Sequence, residues 1–180
     1  GRELAVAGST HFQGLLLVFA VAHARKHLGP GEREFYLQVR AGSALVSASL
    51  EKSQASTLAE RLSILCKQVS KEDVTLVVDR VERDDAPLES PVEKDFVIGA
   101  ISIAWDDDSK KVSLELFSIK EIEVDNEVAD ITLNLTLGQA KAFITRTTAV
   151  VNEGRIPSPF CANHIDPRGH LCPRANGYRR

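Results

Sequence analysis

The chain has 180 residues, 43% of them hydrophobic and 26% charged, with a formal net charge of −3 and a pI near 6.0. That balance is ordinary for a soluble globular domain, and it excludes disordered, collagen-like and uniformly basic classes. Three cysteines, Cys66, Cys161 and Cys172, are an odd number and argue against a disulfide framework. The apolar run at 14–24 is about half of the ~20 residues a spanning helix needs. It reads instead as a buried strand over 15–22, so no membrane segment is expected and the compartment is expected to be cytoplasmic.

Downstream of a Leu28-Gly29-Pro30-Gly31 turn, 34–40 alternates with Phe35, Leu37 and Val39 in phase. A short turn at Ala41-Gly42-Ser43 leads into a second strand over 44–50. From Lys52 the period changes: Ala55, Leu58, Leu62, Leu65, Cys66 and Val69 recur at three and four residues, an amphipathic helix with Ser53 as its expected N-cap. Residues 74–81 again read as β, followed by the loop signature of Asp84-Asp85-Ala86-Pro87 and Ser90-Pro91. Strands are expected over 96–105 and 111–122, joined at Asp106-Asp107-Asp108-Ser109, and over 130–135. Thr136 caps a second helix over 137–153, ended by Gly154.

Shifting the chain by 85 positions lays Val46, Ala48 and Leu50 on Ile131, Leu133 and Leu135, and Gln54, Ala55 and Arg61 on Gln139, Ala140 and Arg146. The expected fold is therefore α+β, an antiparallel sheet with two covering helices built as a duplicated β-β-α unit. Its domain organisation is an N-terminal segment at 1–28 with one strand, an α+β domain at 29–154, and a tail at 155–180.

The tail differs in kind from what precedes it. It is rich in proline and glycine and spaces its potential ligands as Cys161-x2-His164-x5-His170-x-Cys172. Such a segment buries little, so it needs another source of order, and metal binding can supply it. Two thiolates and two imidazoles close a tetrahedral zinc shell without an open position, the structural rather than the catalytic pattern. Beyond it lie Arg174, Tyr178, Arg179 and Arg180. They offer a contact for nucleic acid through Arg174, Arg179 and Arg180; alternatively Arg174 and Asn176 dock the tail onto the acidic face of the main domain.

The closing stretch Asp166-Pro-Arg-Gly-His-Leu-Cys-Pro-Arg-Ala-Asn-Gly-Tyr-Arg-Arg180 resembles the signature of an actinobacterial family known as domain of unknown function 3090. Gly29-Pro30-Gly31-Glu32-Arg33, Phe35-Tyr36-Leu37-Gln38, Leu50-Glu51-Lys52-Ser53-Gln54 and the run from Gly99 to Trp105-Asp106 resemble it too, whereas 1–28 does not. The resemblance implies a tail with a Cys-x-x-Cys pair followed by His-x-Cys. Cys161, His170 and Cys172 then occupy three of four ligand positions, Ser158 occupies the other, and His164 is expected to replace the lost thiolate. It implies no reaction.

Elsewhere Cys66 reads as a core cysteine, His11, His23 and His27 as surface or turn residues, and the Asp106–Asp108 run as solvated turn carboxylates. No phosphate-cradling loop or local nucleophile motif is present. The functional expectation is a non-enzymatic binding or adaptor protein with a protein partner and a structural zinc site. The alternatives are a metal-dependent enzyme with one open zinc position and a nucleic-acid-binding protein.

Overall fold

Strict alternation makes strands and a three-to-four-residue apolar period makes helices, and both periods are realised where the side chains fall into phase. A computed structural model of the chain describes residues 10–12, 20–24, 34–81, 86–90, 92–119 and 128–153. Its strands are β1 (Thr10–Phe12), β2 (Ala20–Ala24), β3 (Glu34–Ala41), β4 (Ala44–Leu50), β5 (Phe96–Asp106), β6 (Lys111–Ser118) and β7 (Ile131–Leu135). The helices are α1 (Lys52–Glu72), between β4 and β5, and α2 (Leu137–Asn152), after β7.

All seven strands join one sheet in the order β1-β7-β6-β5-β4-β3-β2. The expectation of an antiparallel sheet is corrected here: β4 pairs with β5 in parallel, through Ala48↔Phe96 and Ser49↔Val97, and β1 pairs with β7 in parallel. The reason is topological. A helix, α1, intervenes between β4 and β5 and returns the chain to the end of the sheet from which β4 started, which fixes the parallel sense. The other pairings are antiparallel, so two meanders, β2-β3-β4 and β5-β6-β7, meet at a parallel join.

One side of the sheet and the two helices share a single core. Leu37, Val39 and Ala48 are fully buried there with Val112, Leu114, Leu116, Leu133 and Leu135. The helices contribute Ala55, Leu58, Leu62, Cys66 and Val69 from α1, with Ala140, Phe143 and Val151 from α2. Each fully buried aliphatic or aromatic side chain contributes about 1.5–3 kcal/mol relative to exposure, so this stripe rather than helix propensity holds α1 in place. α2, of 16 residues, reaches β2 as well as β6 and β7. A helix of that length spans about 24 Å, and strands lie about 4.8 Å apart, so crossing the strands lets it touch both.

Local chemistry sets the element ends. The β3–β4 hairpin closes in two residues, Gly42 and Ser43, with Gly42 at φ +58°, a conformation glycine adopts without strain. α1 is capped by Glu51 and not by Ser53, because Gln54 stands three residues after Glu51 and completes a reciprocal capping box with it. Thr136 caps α2 as expected, again with a glutamine, Gln139, at the third position. At Gly99 a bulge shifts the β5–β6 register; a side chain there would press on Ile119, 3.1 Å from its Cγ1.

The expected strand at 74–81 is not formed. Asp73 accepts hydrogen bonds from the Thr75 amide and hydroxyl and turns the chain directly after α1. Val74 and Val77 are then left 87% and 86% exposed, and among the described residues no strand pairs with them. High β propensity loses here because the segment passes over the end of the helix layer, where Asp79 is fixed to α2. Of the strand expected at 15–22, residues 20–22 fall within β2, and 13–19 lie outside the described residues. β6 ends at Ser118 and α2 at Asn152, while Gly154 lies outside the described residues.

Candidate functional site

The four residues expected to bind metal, Cys161, His164, His170 and Cys172, lie outside the described residues, as do Ser158, Arg174, Tyr178, Arg179 and Arg180. The described chain leads to them through α2, whose last turn is closed by the Glu153 amide donating to Ala149 O and Val150 O. Among the described residues no group of three or more His, Cys, Asp or Glu side chains is placed to hold a metal ion. Cys66 stands apart on α1, 2% exposed, and burial pushes its thiol above the usual range against a smaller downward pull from Lys141.

The acidic turn after β5 is used up by its own neighbours. Asp106 accepts from the Asp108 amide and from the Ser109 amide and hydroxyl, and these hydrogen bonds hold its carboxyl below the ordinary range. Asp107 is held low mainly by Lys110, whose Nζ lies 2.6 Å away, and also by the Trp105 indole. Lys110 bridges onward to Asp73 at 3.8 Å, which ties this turn to the end of α1. Both carboxylates therefore serve as turn-forming acceptors.

The segment between α1 and β5 is a strap fixed at four points. Asp79 takes the Thr136 hydroxyl at 2.6 Å and the Gly138 amide at 2.8 Å, placing a carboxylate on the N-terminus of α2. Arg146 of α2 donates to Ala86 O. Leu88 and Val92 then cover Tyr36 on the sheet face opposite the helices. There the buried Gln38 accepts from the Glu89 amide and donates to Glu89 O and to Ser47 Oγ. Finally, Asp95 accepts from the Ser47 amide as the strap enters β5. The Tyr36 hydroxyl, donated to Glu34 at 2.6 Å, is pushed up to about 12 by that bond first and by burial second. Sequence reasoning missed the Asp79 cap. Its signal is Gly138 itself: any Cβ there would overlap the Asp79 backbone oxygen and lie 2.6 Å from Asp79 Oδ1.

Beyond the strap the second face is exposed along part of β5 and buried at Thr132 of β7. Ala100, Ser102 and Ala104 of β5 are exposed, and Ser102 lies opposite Glu115, which in turn faces Thr132. His11 is in register with Thr132 on β1, and His23 pairs with Phe35 on β2. No helix among the described residues is long and apolar enough to cross a membrane.

The model of a family described as "Protein of unknown function (DUF3090)" matches residues 27–172. That span takes in both helices, five of the strands in full, and the tail as far as Cys172. No curated protein matches the chain, and no solved structure does.

Proposed function

The chain belongs to the DUF3090 family of proteins of unknown function, and from that footing we propose that it is a binding or adaptor protein whose C-terminal tail holds a structural zinc ion. The observation that carries the reading is the donor set Cys161, His164, His170 and Cys172, which falls wholly within the stretch the family matches. Two thiols and two imidazoles at short spacing, separated by Pro167-Arg168-Gly169, fit zinc in chemistry and in number. Bound zinc would supply folding energy to a segment too poor in apolar residues to order itself. Cys161, His170 and Cys172 would be ligands in either reading of the site, and His164 would complete the shell in place of Ser158.

The partner is read as a protein. Val74, Val77, Val78 and Val81 are all exposed within eight residues of the strap, a concentration of apolar surface that solitary surface valines do not produce. We further read the two strand–helix units as copies of one another. In support, Gln54 and Gln139 fill the same place in the two capping boxes, and Ala55 and Ala140, like Leu58 and Phe143, are buried at matching positions.

Metal analysis of the purified full chain under reducing conditions tests the zinc reading: about one zinc per chain is expected, and protein free of zinc overturns it. A His164→Ala variant that loses zinc supports the closed shell. One that keeps it points to an enzyme-like open position. Salt-sensitive binding of RNA or DNA, abolished in the triple Arg174→Ala, Arg179→Ala, Arg180→Ala variant, would replace the protein partner with nucleic acid.

A further inference from the structure

α1 and α2 pack side by side, and their outer surfaces leave a cleft of about 610 Å3 between them. Its rim carries Lys67 and Lys71 from α1 and Lys141 from α2, and among the described residues no carboxylate lines it. Among the described residues none of the three lysines has an ion-pair partner. The placement is unfavourable for the protein alone in one respect, although Lys71 lies in the last turn of α1, where the helix dipole favours a cation. Lys67 and Lys71 stand four apart on one helix, a like-charge spacing that costs a few tenths of a kcal/mol. Lys141, in the second turn of α2, adds a third positive charge to the same rim.

The cleft also holds unused hydrogen-bonding capacity. Ser63 and Ser70 line it, and Ser70 Oγ is out of contact with water and has no hydrogen-bond partner. A buried hydroxyl in that state costs free energy unless something satisfies it. The Thr145 hydroxyl is committed to Lys141 O at 3.0 Å and is not counted among the donors. Ile144 and the carbon face of Cys66 supply apolar surface beside the lysines. The volume lies within the roughly 300–1,000 Å3 range of small-molecule sites.

We propose that the α1–α2 cleft is a binding site for a small phosphorylated molecule, its phosphate oxygens held by Lys67, Lys71 and Lys141 and its organic part set against Ile144. A multiply charged oxyanion would remove the repulsion among the three lysines and supply acceptors for their ammonium groups. The site is independent of the zinc tail and stands or falls separately from it.

Titration of the isotope-labelled full chain with inorganic pyrophosphate, followed by amide shifts and calorimetry, tests the proposal. Saturable binding is expected, with the largest shifts at Ser63, Lys67, Ser70 and Lys141. Binding should weaken at least about tenfold in Lys67→Ala/Lys141→Ala, as loss of two charge-assisted contacts implies, and should be unchanged in Lys94→Ala, whose lysine pairs with Glu34 elsewhere. Absence of saturable binding overturns the proposal. So do shifts confined to other surfaces, or equal weakening in Lys67→Ala/Lys141→Ala and Lys94→Ala. The wild-type shift map decides the matter on its own if the double variant does not fold.

Discussion

The carboxylate of Asp79 rests on the Gly138 amide, 2.8 Å away across 59 positions of sequence. One side chain thereby joins the strap to the start of α2 and adds to the cap that Thr136 already provides. The contact needs a residue without a side chain on the helix, since a Cβ at Gly138 would overlap the Asp79 backbone oxygen as well as its carboxylate. Gly138→Ala and Asp79→Ala should each lower stability by about 1–2 kcal/mol, the range for loss of a helix cap. The double variant should cost less than the sum by the shared hydrogen bond alone, because the Asp79 backbone oxygen that a Cβ at Gly138 overlaps remains after Asp79→Ala. Chemical denaturation of the four proteins measures the cycle; full additivity would show that the two residues act separately.

The strap's anchor on the second face offers a contrast between a buried polar group and an exposed ion pair. Gln38 is 4% exposed and serves both backbone groups of Glu89, whereas Arg40 meets the Glu89 carboxylate at the surface. Gln38→Ala leaves buried donors and acceptors unpaired and should cost about 2–3 kcal/mol. Arg40→Ala should cost at most about 1 kcal/mol, and less in high salt. Equilibrium urea unfolding at two salt concentrations distinguishes them.

Tyr36 should titrate well above the ordinary tyrosine value. Below about pH 10 the hydroxyl is protonated in folded and unfolded chains alike; between that value and about 12 only the folded chain keeps the proton. Stability from this group is therefore complete below the unfolded value and lost as pH rises through the folded one. In a Tyr178→Phe background Tyr36 is the sole remaining tyrosine, so tyrosinate absorbance reports it alone. Glu34→Gln should move the transition down toward 10, because the hydrogen bond to that carboxylate is the first cause of the shift. An unchanged transition would assign the shift to burial.

Cys66 should be inert while the chain is folded. Its burial raises the thiol above the ordinary range and so lowers the thiolate fraction at neutral pH. In a Cys161→Ser/Cys172→Ser background, thiol labelling should proceed only as fast as the protein opens and should become rapid in denaturant. Rapid labelling of the folded chain would refute this placement in the core.

Much of the fold was legible because period and burial agree. The alternation of 34–40 and 44–50 became β3 and β4, and the stripe from Ala55 to Val69 became the buried side of α1. The cap of α1 was misplaced by two residues because serine is the commoner cap; the Glu51-to-Gln54 spacing carried the answer. The parallel sense of the β4–β5 join was not legible, since alternation says which face a residue takes and nothing about strand direction. The valines of the strap failed for a related reason. Propensity describes a residue's fit to a pleated surface, and whether a neighbouring strand is available there is decided by Asp73 and Asp79, which bind elsewhere. The metal ligands were legible as spacing alone, because the residues that would show them meeting lie outside the described part of the chain.

The parallel join has a kinetic side. The β3–β4 and β5–β6 hairpins close tight turns, but β4 meets β5 over only two residue pairs, and only after the chain has passed through α1 and the whole strap. Closing so long an excursion is slow compared with forming a hairpin. The central β4–β5 join is therefore expected to close after the hairpins on either side of it, although one core of α1, α2 and both meanders spans it.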